Sequence, residues 1–225
     1  MPNSNKLLRK FNSNETQQAY SKIAWFYDFW GWLIESKANR KVLELADIKD
    51  GEYILEVAVG TGRLFEQIAL SNPDGFTVGF DLTPAMLQKA RHRFSQSDGI
   101  QFSLEIANTY QLPYTTESFD LLINNFMLDL LPENDYSHIL IEFNRVLKPG
   151  GHLLISTMAF GPRWYHRFWA WLAATFPSLL TNCRPVQIGE HLKQSGFENI
   201  QSFFISQNTF PSLVWSSYKK MGDKQ

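Results

Sequence analysis

From Gly51 onward, the sequence alternates short runs of branched apolar residues with amphipathic segments. In the amphipathic segments, apolar residues recur three and four positions apart, which is typical of helices. Alternating strands and helices are the pattern of βαβ units, in which helices cover both faces of a mostly parallel sheet. The alternation therefore predicts an α/β fold with a doubly wound sheet.

The strand candidates are YILEVAV (53–59), FTVGFDL (76–82), IQFSLEIA (100–107), FDLLINN (119–125) and HLLISTM (152–158). The helix candidates between them are RLFEQIAL, PAMLQKARHRF and YSHILIEFNRVL, and the segment KPGG (148–151) ends the last one. Downstream, IGEHLKQSGF predicts one more helix, and NIQSFFIS and SLVWSSYKK predict a closing strand pair.

Length and composition favour a single domain over residues 1–225, because 44% hydrophobic residues suit one large core. We expect a flexible start (1–18), N-terminal helices (19–50), a ligand-binding core (51–158), an aromatic lid or insert (159–185) and a closing helix with a strand pair (186–225). No run approaches the ~18 apolar residues that span a bilayer, so no integral membrane segment is expected.

Charge and cysteine content exclude several classes of partner. The chain has 21 Lys and Arg against 22 Asp and Glu, so no overall field attracts nucleic acid. The single Cys183 cannot form an intramolecular disulfide, which favours a reducing cytoplasm. No two of the five histidines are spaced i, i+4, and none has a cysteine close to it in the sequence, so we expect no metal site.

The stretch LEVAVGTGRL places Gly60 and Gly62 directly after the first strand. Glycines there let the backbone turn sharply and approach a ligand, and the next helix presents free N–H groups. Arg63 and Phe65 stand where a dinucleotide fingerprint needs its third glycine, and a triphosphate-binding loop pattern is absent. A ligand without a pyrophosphate is therefore favoured, and an ordinary βα turn is the alternative.

Polar residues follow the next two strands. Asp81 could accept two hydrogen bonds from a ribose diol. Asn108 could accept from an exocyclic amine while the N–H of Thr109 or Tyr110 donates to a ring nitrogen. Together they predict a nucleoside ligand. As alternatives, Asp81 caps the following helix and Asn108 only closes a turn.

Four motifs occur in the order EVAVGTG, GFDLTPAMLQKAR, NTYQLPYTTESFDLL and EFNRVLKPGGHLL. This set resembles the motifs of the seven-stranded, Rossmann-like class I methyltransferases that use S-adenosylmethionine. AYSKIAWFYD also resembles the N-terminal segment of the ubiquinone and menaquinone C-methyltransferases and related small-molecule enzymes. The resemblance covers residues 20–158 and implies an antiparallel last strand, S-adenosylmethionine as cofactor and a small, lipophilic or aromatic acceptor. A non-catalytic cofactor-binding protein with a sensing or assembly role is the alternative, and a nicotinamide oxidoreductase is third.

At the methionine end of the cofactor, the resemblance implies that Glu56 orients the glycine turn near the amino group. It also implies that Gly60 and Gly62 lie against the methionine portion. Tyr20 and Tyr27 are candidates to close over this end, although both are equally explicable as core or cap residues.

At the adenosine end, the resemblance implies that Asp81 holds the ribose hydroxyls and that Leu82 and Met86 pack on the adenine. Asn108 and Thr109 would contact the edge of the base.

Two positions depart from the common pattern of the resembled family. Ala58 stands where many members have glycine, and Asn108 stands where aspartate is commoner, for which we expect slightly weaker binding. Arg63 and Asn125 complete the cofactor-binding candidates.

A general base is needed only if the acceptor is a phenol or an acidic carbon. The segment INNFMLDLLPEN follows the fourth strand, and Asp129 within it is the candidate catalytic residue. The alternative is that Asp129 begins or caps a helix near Pro132.

The segment RWYHRFWAWLAATF predicts an aromatic helix, because Trp164, Phe168 and Trp171 recur at i, i+4 and i+7. Trp164, Phe168 and Trp169 are the candidates for binding the acceptor. The alternative is that the rings simply pack on the sheet. The interspersed cationic residues also permit a helix that lies in a membrane surface, and hence peripheral membrane contact.

Overall fold

A computed structural model of the chain describes residues 35–94, 99–175 and 183–222. The first of the two predicted N-terminal helices, with Tyr20 and Tyr27, lies outside the described residues. The described strands are β1 (Tyr53–Val57), β2 (Phe76–Asp81), β3 (Phe102–Ile106), β4 (Phe119–Asn125), β5 (Leu147–Met158), β6 (Phe197–Gln207) and β7 (Phe210–Lys219). The described helices are α1 (35–46), α2 (Arg63–Leu70), α3 (Pro84–Arg93), α4 (Tyr136–Val146), α5 (Trp164–Thr175) and α6 (Gly189–Gln194).

The seven strands form one sheet in the order β3-β2-β1-β4-β5-β7-β6. Strands β1 to β5 pair in parallel, whereas β7 runs antiparallel to both of its neighbours. Strand order reverses between β1 and β4, which is the arrangement of a doubly wound sheet. The predicted α/β fold with an antiparallel last strand is therefore confirmed.

Helices cover both faces of the sheet. The buried side chains of β1 alternate, so that Leu55 and Val57 join the core under α4 and α6, and Ile54 joins the core under α1, α2 and α5. A third cluster, which includes Phe65 and Leu87, joins α2 to α3. In the part of the chain that the structure describes, no helix is long and apolar enough to cross a membrane.

Strand β5 begins at Leu147, earlier than the predicted start at His152. The KPGG segment therefore ends α4 but belongs to the strand. Gly150 takes a positive φ of 75°, which is accessible to glycine, and the pairing of β4 with β5 shifts register between Phe119 and Leu121.

The parallel strands end at one edge of the sheet, called here the carboxyl edge, and the loops after β1, β2, β3, β4 and β5 lie there. The hairpin between β6 and β7 reaches the same edge, because Ser212 pairs with Met158 at the end of β5. The start of α1 joins them, since Gln207 accepts hydrogen bonds from the Ser36 hydroxyl and the Lys37 N–H. Ligands of open α/β sheets bind at this edge.

Candidate functional site

The turn after β1 contains three residues with positive φ, Ala58 at 62°, Gly60 at 54° and Gly62 at 78°. A Cβ added to Gly60 would meet no atom of the described residues within 4 Å, whereas one added to Gly62 would lie 2.7 Å from Ala90 Cβ. Gly60 therefore borders open space, as the ligand prediction requires. Gly62 lets α2 approach α3, a packing role that the sequence motif does not distinguish from ligand contact.

Asp81 joins the end of β2 to this turn. Its Oδ2 accepts the Gly60 N–H at 2.9 Å, and its Oδ1 accepts the Thr83 N–H at 2.8 Å. Burial raises the pKa of Asp81, although these hydrogen bonds act in the opposite direction. Each carboxylate oxygen has a further lone pair, so Asp81 can orient the start of α3 and still accept ribose hydroxyls.

Glu56 is a buried carboxyl in the middle of the sheet, with 2% of its surface exposed. Burial raises its pKa well above the ordinary value, and the charge of Asp81 adds to the effect. Among the described residues, no hydrogen-bond partner reaches Glu56 Oε2. A buried, unpaired carboxyl is costly unless a cation or donor meets it. An ammonium group beside the open side of Gly60 would supply that partner, so this end fits the methionine portion of S-adenosylmethionine.

The loop after β3 holds the residues expected to contact the base edge. Asn108 Oδ1 accepts the Tyr110 N–H at 3.1 Å, and Asn108 O accepts the Gln111 N–H at 3.1 Å. Asn108 thus closes a turn, which was the alternative interpretation. Because Tyr110 N–H is engaged, Thr109 N–H is the better candidate to donate to a ring nitrogen. The Thr109 hydroxyl, which is buried, also has no partner in the described part of the chain.

The two apolar candidates for the adenine differ in exposure. Leu82, directly after Asp81, is 43% exposed, whereas Met86 in α3 is 3% exposed. Leu82 therefore presents an apolar surface at the carboxyl edge, and Met86 lies behind it in the core.

The end of β4 contributes two amides. Asn125 Nδ2 donates to Asn39 Oδ1 at 2.8 Å, and Asn124 Nδ2 donates to the Val57 carbonyl at 3.1 Å. The Oδ1 atoms of Asn124 and Asn125 have no partner within the described ranges. Asn39 was not predicted, because α1 lies 86 residues before Asn125 and no local motif links the two positions.

Asp129 lies in a 3-10 turn, Leu128–Leu130, and its side chain is fully buried. Its Oδ2 accepts the Met158 N–H at 3.0 Å, and Oδ1 has no nitrogen or oxygen donor in the described residues. Burial raises the pKa of Asp129 to about 7, against the lowering effects of Arg184 and Cys183. The carboxylate caps none of the described helices, but Asp129 lies in the first turn of this 3-10 helix, as in the alternative that it begins a helix near Pro132. The side chain instead ties the turn after β4 to the end of β5.

Glu35, in the first turn of α1 that the structure describes, was missed by sequence reasoning. Burial raises its pKa to about 7, the charge of Asp129 raises it further and Arg63 lowers it. Asp129 and Arg63 therefore both lie within electrostatic reach of Glu35 at the carboxyl edge. A glutamate in a charged amphipathic helix gives no sequence signal for such a position.

The aromatic residues of α5 separate into two groups. Trp169 Nε1 donates to Thr209 Oγ1 at 3.0 Å, and its ring meets Phe210 edge-on at 5.3 Å, which favours a packing role on the hairpin. Trp164 and Phe168 are 79% and 49% exposed. The three acceptor-binding candidates are thus not gathered in one enclosed site. Within residues 35–94, 99–175 and 183–222, no group of three His, Cys, Asp or Glu side chains could hold a metal ion.

Comparison with known proteins gives one family. The family described as "Methyltransferase domain" matches residues 48–208. The chain is similar to a demethylmenaquinone methyltransferase of Listeria monocytogenes, with 30% identity over 147 residues, covering 62% of this chain and 60% of the relative. It is similar to an arsenite methyltransferase of Halobacterium salinarum, with 32% identity over 112 residues, covering 49% of this chain and 28% of the relative. The chain thus spans less than two thirds of either relative.

Among solved structures, the chain resembles one chain of the complex between the Haloferax volcanii Trm112 methyltransferase activator and a methyltransferase. The TM-score is 0.71 at 15% identity, and the match covers 94% of this chain and 99% of that one. At this identity the similarity shows a shared fold.

Proposed function

The chain belongs to the methyltransferase-domain family, and on this premise we propose that it transfers a methyl group from S-adenosylmethionine to a small, lipophilic or aromatic acceptor. The observation that carries the proposal is the buried carboxyl of Glu56 near Gly60 and Asp81, whose Oε2 has no partner among the described residues. This arrangement offers an anion for an amino group, open space beside a glycine and two acceptor oxygens for a diol. A nicotinamide dinucleotide has no ammonium group for Glu56.

Calorimetry tests the cofactor assignment directly. We expect S-adenosylmethionine and S-adenosylhomocysteine to bind and NADH to leave no heat signal at the same concentration. The matched ligand is adenosine, which lacks the amino acid portion and should bind more weakly to the wild type. In a Glu56→Gln variant the difference between S-adenosylmethionine and adenosine should shrink. An unchanged difference would contradict the role of Glu56.

The residues of the chain would chiefly align the two reactants and exclude water, which contributes up to ~7–11 kcal/mol to catalysis. When bound, S-adenosylmethionine supplies an activated methyl group on its sulfonium. Glu56 in β1, Asp81 at the end of β2 and the Gly60 turn between these strands would fix its position. The acceptor would approach from the side of α1 and the loop after β4, where Glu35, Asn125 and Asp129 lie.

Asp129 is the proposed general base for an acceptor with an acidic O–H or C–H group. One of its oxygens is held by the Met158 N–H, and the other, which has no nitrogen or oxygen donor among the described residues, would take the acceptor proton. A base with a pKa of about 7 is half deprotonated near neutral pH. Such a base contributes roughly 10²–10⁴-fold to the rate.

The relatives differ in acceptor, and two features favour an organic acceptor. Arsenic(III) binds thiolates, and this chain has one cysteine. The relative named for demethylmenaquinone shares the longer match with this chain.

The decisive experiment is transfer of a labelled methyl group from S-adenosylmethionine into a total extract of the native organism, with separation of lipid and aqueous fractions. We expect label in the lipid fraction. Label confined to aqueous metabolites would contradict the lipophilic acceptor. Cofactor binding with no label in either fraction would favour the alternative, a non-catalytic cofactor-binding protein.

The role of Asp129 has its own test. In Asp129→Asn, we expect the rate to fall roughly 10²–10⁴-fold and the rise of rate with pH around 7 to disappear, since the base is gone. Cofactor affinity should stay unchanged, because Asp129 lies outside the turn that holds it. A variant that is less stable but retains the pH profile would show that the carboxylate only ties the loop to β5.

A further inference from the structure

The outer face of α5 and the loop before it expose four large aromatic side chains. Phe160 is 59% exposed, Trp164 79%, Phe168 49% and Trp171 54%. The last three occupy positions i, i+4 and i+7, so they share one side of the helix, and the rings of Phe168 and Trp171 lie 5.7 Å apart. We call these four residues the α5 aromatic face. Contiguous exposed apolar surface of this kind marks interaction sites.

The opposite side of α5 is fixed on the protein. His166 is 2% exposed, and its Nε2 lies 3.2 Å from Ser206 Oγ in β6. Ala173 is buried in the core, and Trp169 donates to Thr209 in the hairpin. These contacts set the rotation of the helix, so the aromatic face is directed away from the core by the packing of its other side.

Charge around the aromatic face is one-sided. The chain has no Asp or Glu between Glu142 and Glu190, although its overall net charge is -1. Arg163 and Arg167, both exposed, flank the exposed rings on α5. An amphipathic helix with tryptophan and phenylalanine on one side and arginine beside them is the type that lies in a bilayer interface.

We propose that the α5 aromatic face docks on the surface of an anionic lipid bilayer. The rings would enter the boundary between headgroups and acyl chains, while Arg163 and Arg167 pair with anionic headgroups. The exposed Arg163 and Arg167 beside the rings select this occupant over a second copy of the same cationic face, since like charges repel. The inference stands independently of the proposed methyl transfer.

Docking would also set the orientation of the molecule. Trp164 follows Met158 by six residues, and Met158 N–H is the group that Asp129 holds at the end of β5. The α5 aromatic face is therefore at the carboxyl edge, and a bilayer bound there would lie next to the candidate site. A lipid-dissolved acceptor could then reach the site without crossing water.

Vesicle flotation tests the proposal with the full chain and two lipid compositions, phosphatidylcholine alone and phosphatidylcholine with phosphatidylglycerol. We expect binding to the anionic vesicles that weakens with salt. The combined variant Trp164→Ser, Phe168→Ser and Trp171→Ser should lower the partition coefficient at least about tenfold. The double variant Arg163→Glu and Arg167→Glu should remove the preference for anionic lipid.

The matched control removes equally exposed apolar side chains elsewhere, by Leu70→Ser, Ile141→Ser and Met221→Ser, which are 53%, 57% and 65% exposed. This variant should bind vesicles like the wild type. Thermal unfolding by circular dichroism checks that every variant is folded. Absence of wild-type binding to anionic vesicles, or equal binding by the aromatic variant, would overturn the proposal. Self-association in the ultracentrifuge that only the aromatic variant loses, without vesicle binding, would assign the face to a second copy and also overturn it.

Discussion

Asp81 connects two elements through its two carboxylate oxygens, which accept N–H groups from Gly60 in the turn after β1 and from Thr83 at the start of α3. Asp81→Ala should weaken S-adenosylmethionine binding at least tenfold, because a hydrogen bond to a charged group contributes about 1.5–3 kcal/mol. The same change should lower stability, since the buried N–H groups lose their acceptors. Calorimetry and urea unfolding measure the two effects.

Asp81→Asn separates binding from folding at this position. The amide keeps one acceptor oxygen for Gly60 or Thr83 but cannot accept from both sides as the carboxylate does. We expect a smaller loss of stability than in Asp81→Ala and a comparable loss of affinity. Unchanged affinity in both variants would remove Asp81 from the cofactor site.

Glu56 shows how a binding residue can oppose folding. Its buried carboxyl has a raised pKa and an oxygen without a partner in the described residues, so the ligand-free protein bears the cost of burying it. Glu56→Gln should therefore stabilise the ligand-free protein at pH values where Glu56 is ionised, and it should weaken S-adenosylmethionine binding at least tenfold, since the ammonium loses its anion. Urea unfolding without the ligand measures the gain in stability, and urea unfolding with S-adenosylmethionine measures the loss of stabilisation by the ligand. A variant that is destabilised in both conditions would show that Glu56 has a structural partner.

At the scale of elements, the two glycines of the turn make different predictions. Both have positive φ, so alanine brings similar backbone strain to each, and Ala58 shows that this turn accepts an alanine in that conformation. Gly62→Ala would place a Cβ 2.7 Å from Ala90 Cβ and force α2 from α3, whereas Gly60→Ala meets no atom of the described residues within 4 Å. We expect Gly62→Ala to lower the melting temperature more and Gly60→Ala to lower cofactor affinity more.

Each glycine variant is the control for the other, because strain is matched and the surroundings differ. Thermal unfolding and calorimetry on the same samples give the comparison. Equal losses of affinity and stability in both variants would mean that the turn has no open side for a ligand.

These elements also show what the sequence could and could not predict. Helix α2 was predicted at its observed bounds, because its amphipathic spacing is a local property. The start of β5 was misplaced, because glycine and proline were interpreted as a stop although Gly150 lies inside the strand. The pairing of Asn39 with Asn125 has no local signal, since only the fold brings α1 to the end of β4.

At the scale of the whole molecule, the carboxyl edge gathers carboxyl groups with raised pKa values from four elements. They are Glu35, Glu56, Asp81 and Asp129. Burial is the first cause for each, and Arg63 and Arg184 offset it in part for Glu35 and Asp129. Deprotonation of these carboxyl groups therefore lowers the stability of the folded protein. Groups with such shifted pKa values are typical of functional sites.

This arrangement predicts how stability depends on pH. Glu35 and Asp129 have pKa values of about 7 in the folded chain against ordinary values of 4.5 and 3.8, so the native state retains protons that the unfolded chain releases. Their contribution to stability is present below pH 4 and is lost as pH rises to about 7. The free energy of unfolding of the ligand-free protein should therefore fall between about pH 4 and about pH 7 and level off above that.

Asp129→Asn tests this prediction, because an amide does not titrate while it can still accept the Met158 N–H. Urea unfolding at several pH values should give a flatter decline in Asp129→Asn than in the wild type. Glu142→Gln is the control, since Arg145 lowers the pKa of Glu142 and its contribution is lost as pH falls instead. That variant should change the acidic end of the profile and leave the decline up to about pH 7 intact. If the free energy of unfolding of Asp129→Asn declines with pH as steeply as that of the wild type, Asp129 is already ionised in the native state at low pH. Glu35, whose pKa is also about 7, would then be the candidate for a general base.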